Sequence, residues 1–201
     1  DKPSLNINVT GVTGTKGKTT VSTLIYECHL LLGEKCSLIG TNGIKIHTEE
    51  KENINTTPGS YVVQKILAES VKKGINDVVM EVSSHAISQN RVSQVDFDHI
   101  IYTNISHEHL DYHKTFAEYM FAKALVLNSL GNCINGKSVL LNGDDKYCKR
   151  FINYVNVEYY TYGIGVHNDF QARNIISGLE GSEFDFYSFK DLVGKVKTPL
   201  C

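Results

Sequence analysis

The sequence predicts an α/β fold, a P-loop-type, mostly parallel sheet with helices on both faces and a small antiparallel appendage at its C-terminal end. Three observations predict it. Short apolar runs alternate with helical stretches of about 10–15 residues, the pattern of βαβ units. A glycine-rich segment, residues 11–20, joins an apolar strand to a helix. After Gly163 the texture changes to strand-like runs around a glycine turn, with no helix between them.

Each element has a local reason. Residues 5–10 are apolar and read as the first strand. Residues 18–32 read as a helix that Gly33 ends. Residues 36–39 form a second strand, followed by the turn Thr41-Asn42-Gly43 and a hairpin through Ile46. A helix over 60–73 is closed by Gly74. Residues 77–82 make a continuous apolar strand that carries Glu81 at its end, and 99–103 make another. The helix over 115–130 opens with Thr115 and Glu118 spaced as a capping box and stops at Gly131. A strand at 139–142, a short helix at 146–154 and a strand at 158–162 complete the alternation. Strands at 170–176 and 182–189 then flank a turn at 178–181. There is no repeat and no internal linker, so the chain reads as one domain.

Composition excludes several classes. Hydrophobic residues make up 41% and charged residues 21% of 201, which is globular and not disordered. With 20 basic and 22 acidic residues the net charge is −2, so a general nucleic-acid binder is not expected. No apolar run reaches the roughly 18 residues of a membrane span, and the first residues lack a signal-peptide pattern. The five cysteines, Cys28, Cys36, Cys133, Cys148 and Cys201, are scattered and form no CxxC pair. They read as free thiols in a reducing cytoplasm.

The glycine-rich segment carries the sharpest chemistry. Glycines let the backbone curl so that amides point at phosphate oxygens, and a helix N-terminus adds positive potential. Gly14, Thr15, Lys16, Gly17, Lys18, Thr19 and Thr20 are the candidate nucleotide-binding residues. Lys18 would reach the phosphates and the Thr19 hydroxyl would bind Mg²⁺. The strict G-x-x-x-x-G-K-[ST] spacing is not met, because the first glycine would fall at Val12. Glu81 stands at a strand's carboxyl end, where open α/β sheets bind ligands, and could hold the metal. The segment 104–113 is rich in possible ligands, but chemistry alone does not choose among His107, His109 and His113. Its spacing is not that of a HExxH zinc site. Lys123 stands in a helix that is apolar on most sides. Such a lysine either snorkels to water or is buried and reactive as the neutral amine, and periodicity leaves both open.

These residues together resemble the central ATPase domain of the Mur ligases. The resemblance is closest to the type that adds the third amino acid of the peptidoglycan stem (the MurE type). It rests on GVTGTKGKTT at 11–20, NTTPG at 55–59, MEVSSHAISQNRV at 80–92, TNISHEHLDYH at 103–113 and YMFAKALV at 119–126, in the family's order. The resemblance implies an ADP-forming amide ligase of cell-wall precursor synthesis. Such an enzyme activates the carboxylate of a UDP-N-acetylmuramoyl-dipeptide as an acyl phosphate, which an amino acid then attacks. ATP and Mg²⁺ are implied, with Lys18, Glu81, His109 and Lys123 as catalytic residues. Thr19, Glu81 and His109 would hold magnesium. Lys123 would react with CO₂ to form a carbamate that coordinates or orients it. Asn55, Thr56, Thr57, Ser83, Gln89 and Arg91 would contact the nucleotide-peptide. Glu108 departs from the family's usual Asp, and Lys16 stands where Asn is common.

Family members also carry an N-terminal uridine-binding domain and a C-terminal domain for the incoming amino acid. The chain therefore reads as an isolated central domain, a cytoplasmic monomer without turnover alone. Two alternatives stand beside this reading. One is another ADP-forming ligase on the same scaffold, of the folylpolyglutamate or cyanophycin synthetase type. The other is a non-catalytic nucleotide-binding module that kept the loop and lost the chemistry.

Overall fold

The computed structural model describes residues 2–53, 55–106, 115–130 and 136–200, with backbone alone at 128, 129, 148 and 149. Its strands are β1 (Asn8–Thr13), β2 (Cys36–Gly40), β3 (Gly43–Ile46), β4 (Glu49–Lys51), β5 (Asp77–Glu81), β6 (His99–Tyr102), β7 (Ser138–Asn142), β8 (Glu158–Gly163), β9 (Phe170–Gly178), β10 (Gly181–Ser188) and β11 (Asp191–Thr198). The α-helices are α1 (Lys18–Leu31), α2 (Ser60–Lys72), α3 (Ser84–Ser88), α4 (Phe116–Ala124) and α5 (Cys148–Ile152). Short 3₁₀ turns run over Pro3–Asn6 and Leu125–Leu130.

All the described strands join one sheet, in the order β11-β10-β9-β8-β7-β6-β1-β5-β2-β3-β4. From β9 to β2 the neighbours are parallel, and the four pairings β2–β3, β3–β4, β9–β10 and β10–β11 are antiparallel. β5 lies between β1 and β2, although β2 follows β1 in the chain. The strand order therefore reverses beside β1, and such switch points open a crevice at the carboxyl edge.

The core explains why the central strands are apolar throughout. Val9, Val78, Met80 and Ile39 face one layer, which α2 covers with Val63, Ile66 and Leu67. Val12, Val79 and Leu38 face the other, against Tyr26 of α1. Val78, Val79 and Met80 are each at most 1% exposed. Full burial of such a side chain contributes about 1.5–3 kcal/mol. The expected helices and their glycine stops at Gly33 and Gly74 are present, both glycines at positive φ. Thr115 caps α4 by accepting the Glu118 amide, as its spacing suggests.

Three expectations need correction. β1 begins three residues later than expected and runs into the glycine-rich segment as far as Thr13. Helix α4 ends at Ala124, and the chain continues as 3₁₀ turns to Leu130 rather than as one helix. The appendage has a third strand, β11, where no element was expected. It is also continuous with the main sheet, because Tyr162 and Gly163 of β8 pair in parallel with Phe170 and Gln171 of β9. Beyond those two pairs β9 projects past the carboxyl end of β8, so the β9–β11 ribbon overhangs that edge.

Candidate nucleotide and metal site

The carboxyl ends of β1 and β5 lie side by side, with Val12 in register with Glu81. The loop between β1 and α1 is therefore built against a strand-end acid. Gly14 has φ +144°, and a Cβ there would lie 2.0 Å from the Thr103 hydroxyl. Only glycine meets both conditions. Gly17, left-handed at φ 81°, is the N-cap of α1. The turn directs the first amides of α1 toward the mouth of the loop, the arrangement that favours an anion.

The loop is fastened from β6 and its following residues. The Thr15 amide donates to the Asn104 carbonyl at 2.8 Å. The Lys16 amide donates to the Asn104 side chain at 3.0 Å, and the Asn104 amide group returns a bond to the Lys16 carbonyl. The Thr103 hydroxyl donates to the Lys16 carbonyl at 2.6 Å. Asn142, at the end of β7, in turn holds the Thr103 carbonyl, and Asp145 accepts the Ile105 amide.

Glu81 is 1% exposed and fully engaged in this setting. It accepts the Thr19 hydroxyl at 2.9 Å, the Thr41 amide at 2.7 Å and the Thr41 hydroxyl at 3.3 Å. Hydrogen bonds to a charged acceptor contribute about 1.5–3 kcal/mol each, which offsets the cost of burying the carboxylate. Gly40 allows this approach, since a Cβ there would lie 2.4 Å from Glu81 Oε1. Glu81 and Thr19 thus present hard oxygens together. That donor chemistry suits Mg²⁺, which takes one or two protein oxygens and leaves the rest to water and phosphate.

Two lysines converge on the loop. Lys18 Nζ donates to the carbonyls of Gly14 at 3.0 Å and Thr15 at 2.9 Å. Lys123 is 1% exposed, which resolves the snorkelling alternative in favour of burial. Its Nζ donates to the Gly14 carbonyl at 2.9 Å and stands 5.0 Å from the Tyr119 ring centroid. The Tyr102 hydroxyl, its pKa pushed well up by burial, donates to the Lys123 carbonyl and anchors the end of α4. A carbamylated amine would keep one N–H for the Gly14 carbonyl.

Of the residues expected to meet the nucleotide-peptide, Thr57, Ser83, Gln89 and Arg91 are directly linked. The Thr57 hydroxyl donates to the Glu81 carbonyl at 2.8 Å and accepts the Ser83 amide at 3.1 Å. Arg91 donates to the Thr57 carbonyl at 2.8 Å and, through Nε, to Gln89 at 2.9 Å. Thr56 accepts the Thr41 hydroxyl at 3.0 Å. Asn55 is exposed beside them. The arrangement reaches from Arg91 through Thr57 to Glu81. His109 lies outside the described residues, as do His107, Glu108 and His113. Among the described residues no group of three or more His, Cys, Asp or Glu is placed to hold a metal. No described helix is long and apolar enough to cross a membrane.

Sequence reading missed the supporting residues: Thr41, Thr103, Asn104, Tyr119, Asn142 and Asp145. Each acts through a contact with a distant segment. Thr41, Thr103, Asn104 and Asn142, at or just past a strand's carboxyl end, carried that position as their one local signal.

Residues 12–201 match the family model of the Mur ligase middle domain. A UDP-N-acetylmuramoyl-L-alanyl-D-glutamate–2,6-diaminopimelate ligase of Halalkalibacterium halodurans is 41% identical over 190 residues, covering 94% of this chain and 39% of the relative. A UDP-N-acetylmuramoyl-L-alanyl-D-glutamate–L-lysine ligase of Staphylococcus haemolyticus is 37% identical over 187 residues, covering 92% and 38%. A solved structure of a diaminopimelate ligase of the same kind superposes with TM-score 0.85 at 30% identity, over 96% of this chain and 39% of that one. The chain thus spans well under half the length of the relatives it matches.

Proposed function

The chain belongs to the Mur ligase family, as its middle domain, and from that premise we propose that it is the ATP-binding part of an ADP-forming amide ligase of peptidoglycan precursor synthesis. The observation that carries this reading is the meeting of Thr19, Glu81, Lys18 and Lys123 around one glycine loop. The N-terminus of α1 and the loop amides would receive the phosphates. Lys18 would leave the carbonyls of Gly14 and Thr15 for phosphate oxygens and offset the charge that builds there. Thr19 and Glu81 would hold Mg²⁺, with His109 as a further ligand. When bound, the metal supplies charge neutralisation at the transferred phosphoryl group. Lys123, carbamylated, would present an anion beside the loop in place of a buried cation.

The acceptor is a UDP-N-acetylmuramoyl-dipeptide, whose carboxylate is activated as an acyl phosphate and then taken by an amino acid. Thr56, Thr57, Ser83, Gln89, Arg91 and Asn55 would orient it. Their hydrogen-bonded chain to the backbone of Glu81 ties acceptor position to metal position. Positioning of this kind can supply several kcal/mol of barrier reduction. The two relatives' names differ in the amino acid they take. The domain assignment and a monomeric, cytoplasmic state follow from the same reading.

The test is a calorimetric titration of the chain with a non-hydrolysable Mg–ATP analogue, alongside Lys18→Ala. Saturable binding that disappears in the variant supports the proposal. Equal binding by both proteins removes Lys18 from the site and with it the proposal.

A further inference from the structure

We propose that Tyr119 is a positioning residue, which locks the glycine loop to the helix that carries Lys123 and acts through the side chain of Thr15. The proposal rests on the nucleotide reading above and names a part that reading does not need. Tyr119 is completely buried, and its hydroxyl shares a 2.9 Å hydrogen bond with the Thr15 hydroxyl. Thr15 is 5% exposed, and its Oγ1 also accepts the Ser106 amide at 2.9 Å. Tyr119 and Lys123 are four residues apart on α4 and so share one face of it. Lys123 grips the carbonyl of Gly14, and Tyr119 grips the side chain of the next residue. The Tyr119 ring lies 5.0 Å from Lys123 Nζ, which closes the circuit.

The consequence is geometric. The glycine loop bends at Gly14, where φ is +144°. The loop is held from α4 at that bend and just after it, the Gly14 carbonyl by an amine and the Thr15 hydroxyl by a phenol. Phe116 packs beside Tyr119 at 6.3 Å between ring centroids, and Phe116 is itself packed on Tyr147 at 4.8 Å. The phenol is therefore held firmly enough to set the position of Thr15. The same Thr15 oxygen holds Ser106, the residue that leads into the segment bearing His109. One tyrosine hydroxyl thus registers the loop against α4 and, through Thr15, against Ser106.

The experiment compares Tyr119→Phe, Thr15→Val, Thr15→Ser and the double variant Tyr119→Phe/Thr15→Val in the complete natural protein, with Lys18→Ala as control. The readouts are affinity for a non-hydrolysable Mg–ATP analogue and the ³¹P shifts of the bound analogue. Tyr119→Phe keeps the ring and removes only the hydroxyl. Its expected affinity loss is about tenfold, with moved ³¹P resonances, and Thr15→Val matches it. Thr15→Ser keeps the hydroxyl and recovers most of the affinity that Thr15→Val loses. The double variant is no worse than either single one, as a shared contact requires. If Tyr119→Phe fails to fold, the Val and Ser variants at Thr15 carry the test. Wild-type affinity and shifts in Tyr119→Phe or Thr15→Val, while Lys18→Ala loses binding, overturn the positioning role and leave the nucleotide reading standing. Additive losses in the double variant also overturn it. Unchanged binding in Lys18→Ala overturns both.

Discussion

Lys18 and Lys123 donate to the same acceptor, the carbonyl oxygen of Gly14, at 3.0 and 2.9 Å. One comes from the first turn of α1 and the other from the last turn of α4. Two amines are thus gathered on one side of a loop whose other side is formed by Glu81 and Thr19. Lys18→Met leaves Lys123 in place and removes the partner expected to move to phosphate. Loss of a charge-assisted bond of about 2–3 kcal/mol predicts roughly 30- to 150-fold weaker binding of a Mg–ATP analogue. Thermal stability without nucleotide should be unchanged or slightly higher, since one of two neighbouring like charges is gone. Calorimetry and a melting curve check the pair of outcomes.

Gly40→Ala is predicted to act on Glu81 without touching it chemically. The added Cβ would meet Oε1 at 2.4 Å, so the carboxylate must move away from Thr19 and Thr41. Overpacking of this kind costs about 1–3 kcal/mol. The expected result is a lower melting temperature together with a higher Mg²⁺ requirement for analogue binding. A stable variant with unchanged Mg²⁺ dependence would show that the carboxylate position is unimportant.

Cys36 and Cys28 should differ sharply toward a thiol reagent. Cys36 is fully buried, and its thiol is pushed up to about 12, first by burial and then by the charge of Asp77. Cys28 is exposed. Cys28 should label in the folded protein, and Cys36 only on unfolding. The folded pKa lies above the unfolded value of 9.0, so the neutral thiol's contribution is complete below about pH 9 and declines as pH rises toward 12. Cys36→Ala should flatten that alkaline decline in a denaturation series.

Asp144 makes the opposite prediction at low pH. Burial alone would raise its carboxyl, but the Ile164 amide, the Asn168 side chain, the Gly165 amide and His167 outweigh burial and hold it below the ordinary range. A depressed folded pKa gives stability that is present above the unfolded value, about 3.9, and lost as pH falls through the folded one. Hydrogen exchange at the Ile164 and Gly165 amides, relative to its intrinsic rate at each pH, should therefore quicken only in acid. In Asp144→Asn it should be faster at neutral pH too.

Much of this molecule was legible because its signals are local. Apolar runs, glycine stops and the Thr115 cap depend on neighbours in sequence, and they marked β2, β5, β6, α1 and α2 within a residue or two. β1 was misplaced because Gly11 looks like loop. In the structure Gly11 is a strand residue whose missing side chain leaves room for Phe97 and Ile100. β11 was invisible because Asp191, Gly194, Lys195 and Lys197 interrupt any alternation, and it is held by pairing with β10 instead. At the site, Lys18, Thr19 and Glu81 announced themselves by position in a motif or at a strand end. The bonds from Asn104, Thr103 and Tyr119 that shape the loop could not, since each depends on which strand lies beside β1. The burial of Lys123 needed the fold to decide between two readings that periodicity left equal.

The inserted position of β5 between β1 and β2 has a kinetic meaning. Thr19 and Glu81 are 62 residues apart, Thr15 and Tyr119 are 104 apart, and Gly14 and Lys123 are 109 apart. Bringing such distant segments together carries a loop-closure cost that no local helix can offset, and non-local topologies fold slowly for that reason. The parts that would hold nucleotide and metal can come together only after both halves of the parallel sheet have paired around β1. A nascent chain that has not yet emitted α4 has no Lys123 to bring to the loop, so competence arrives late and nearly at once.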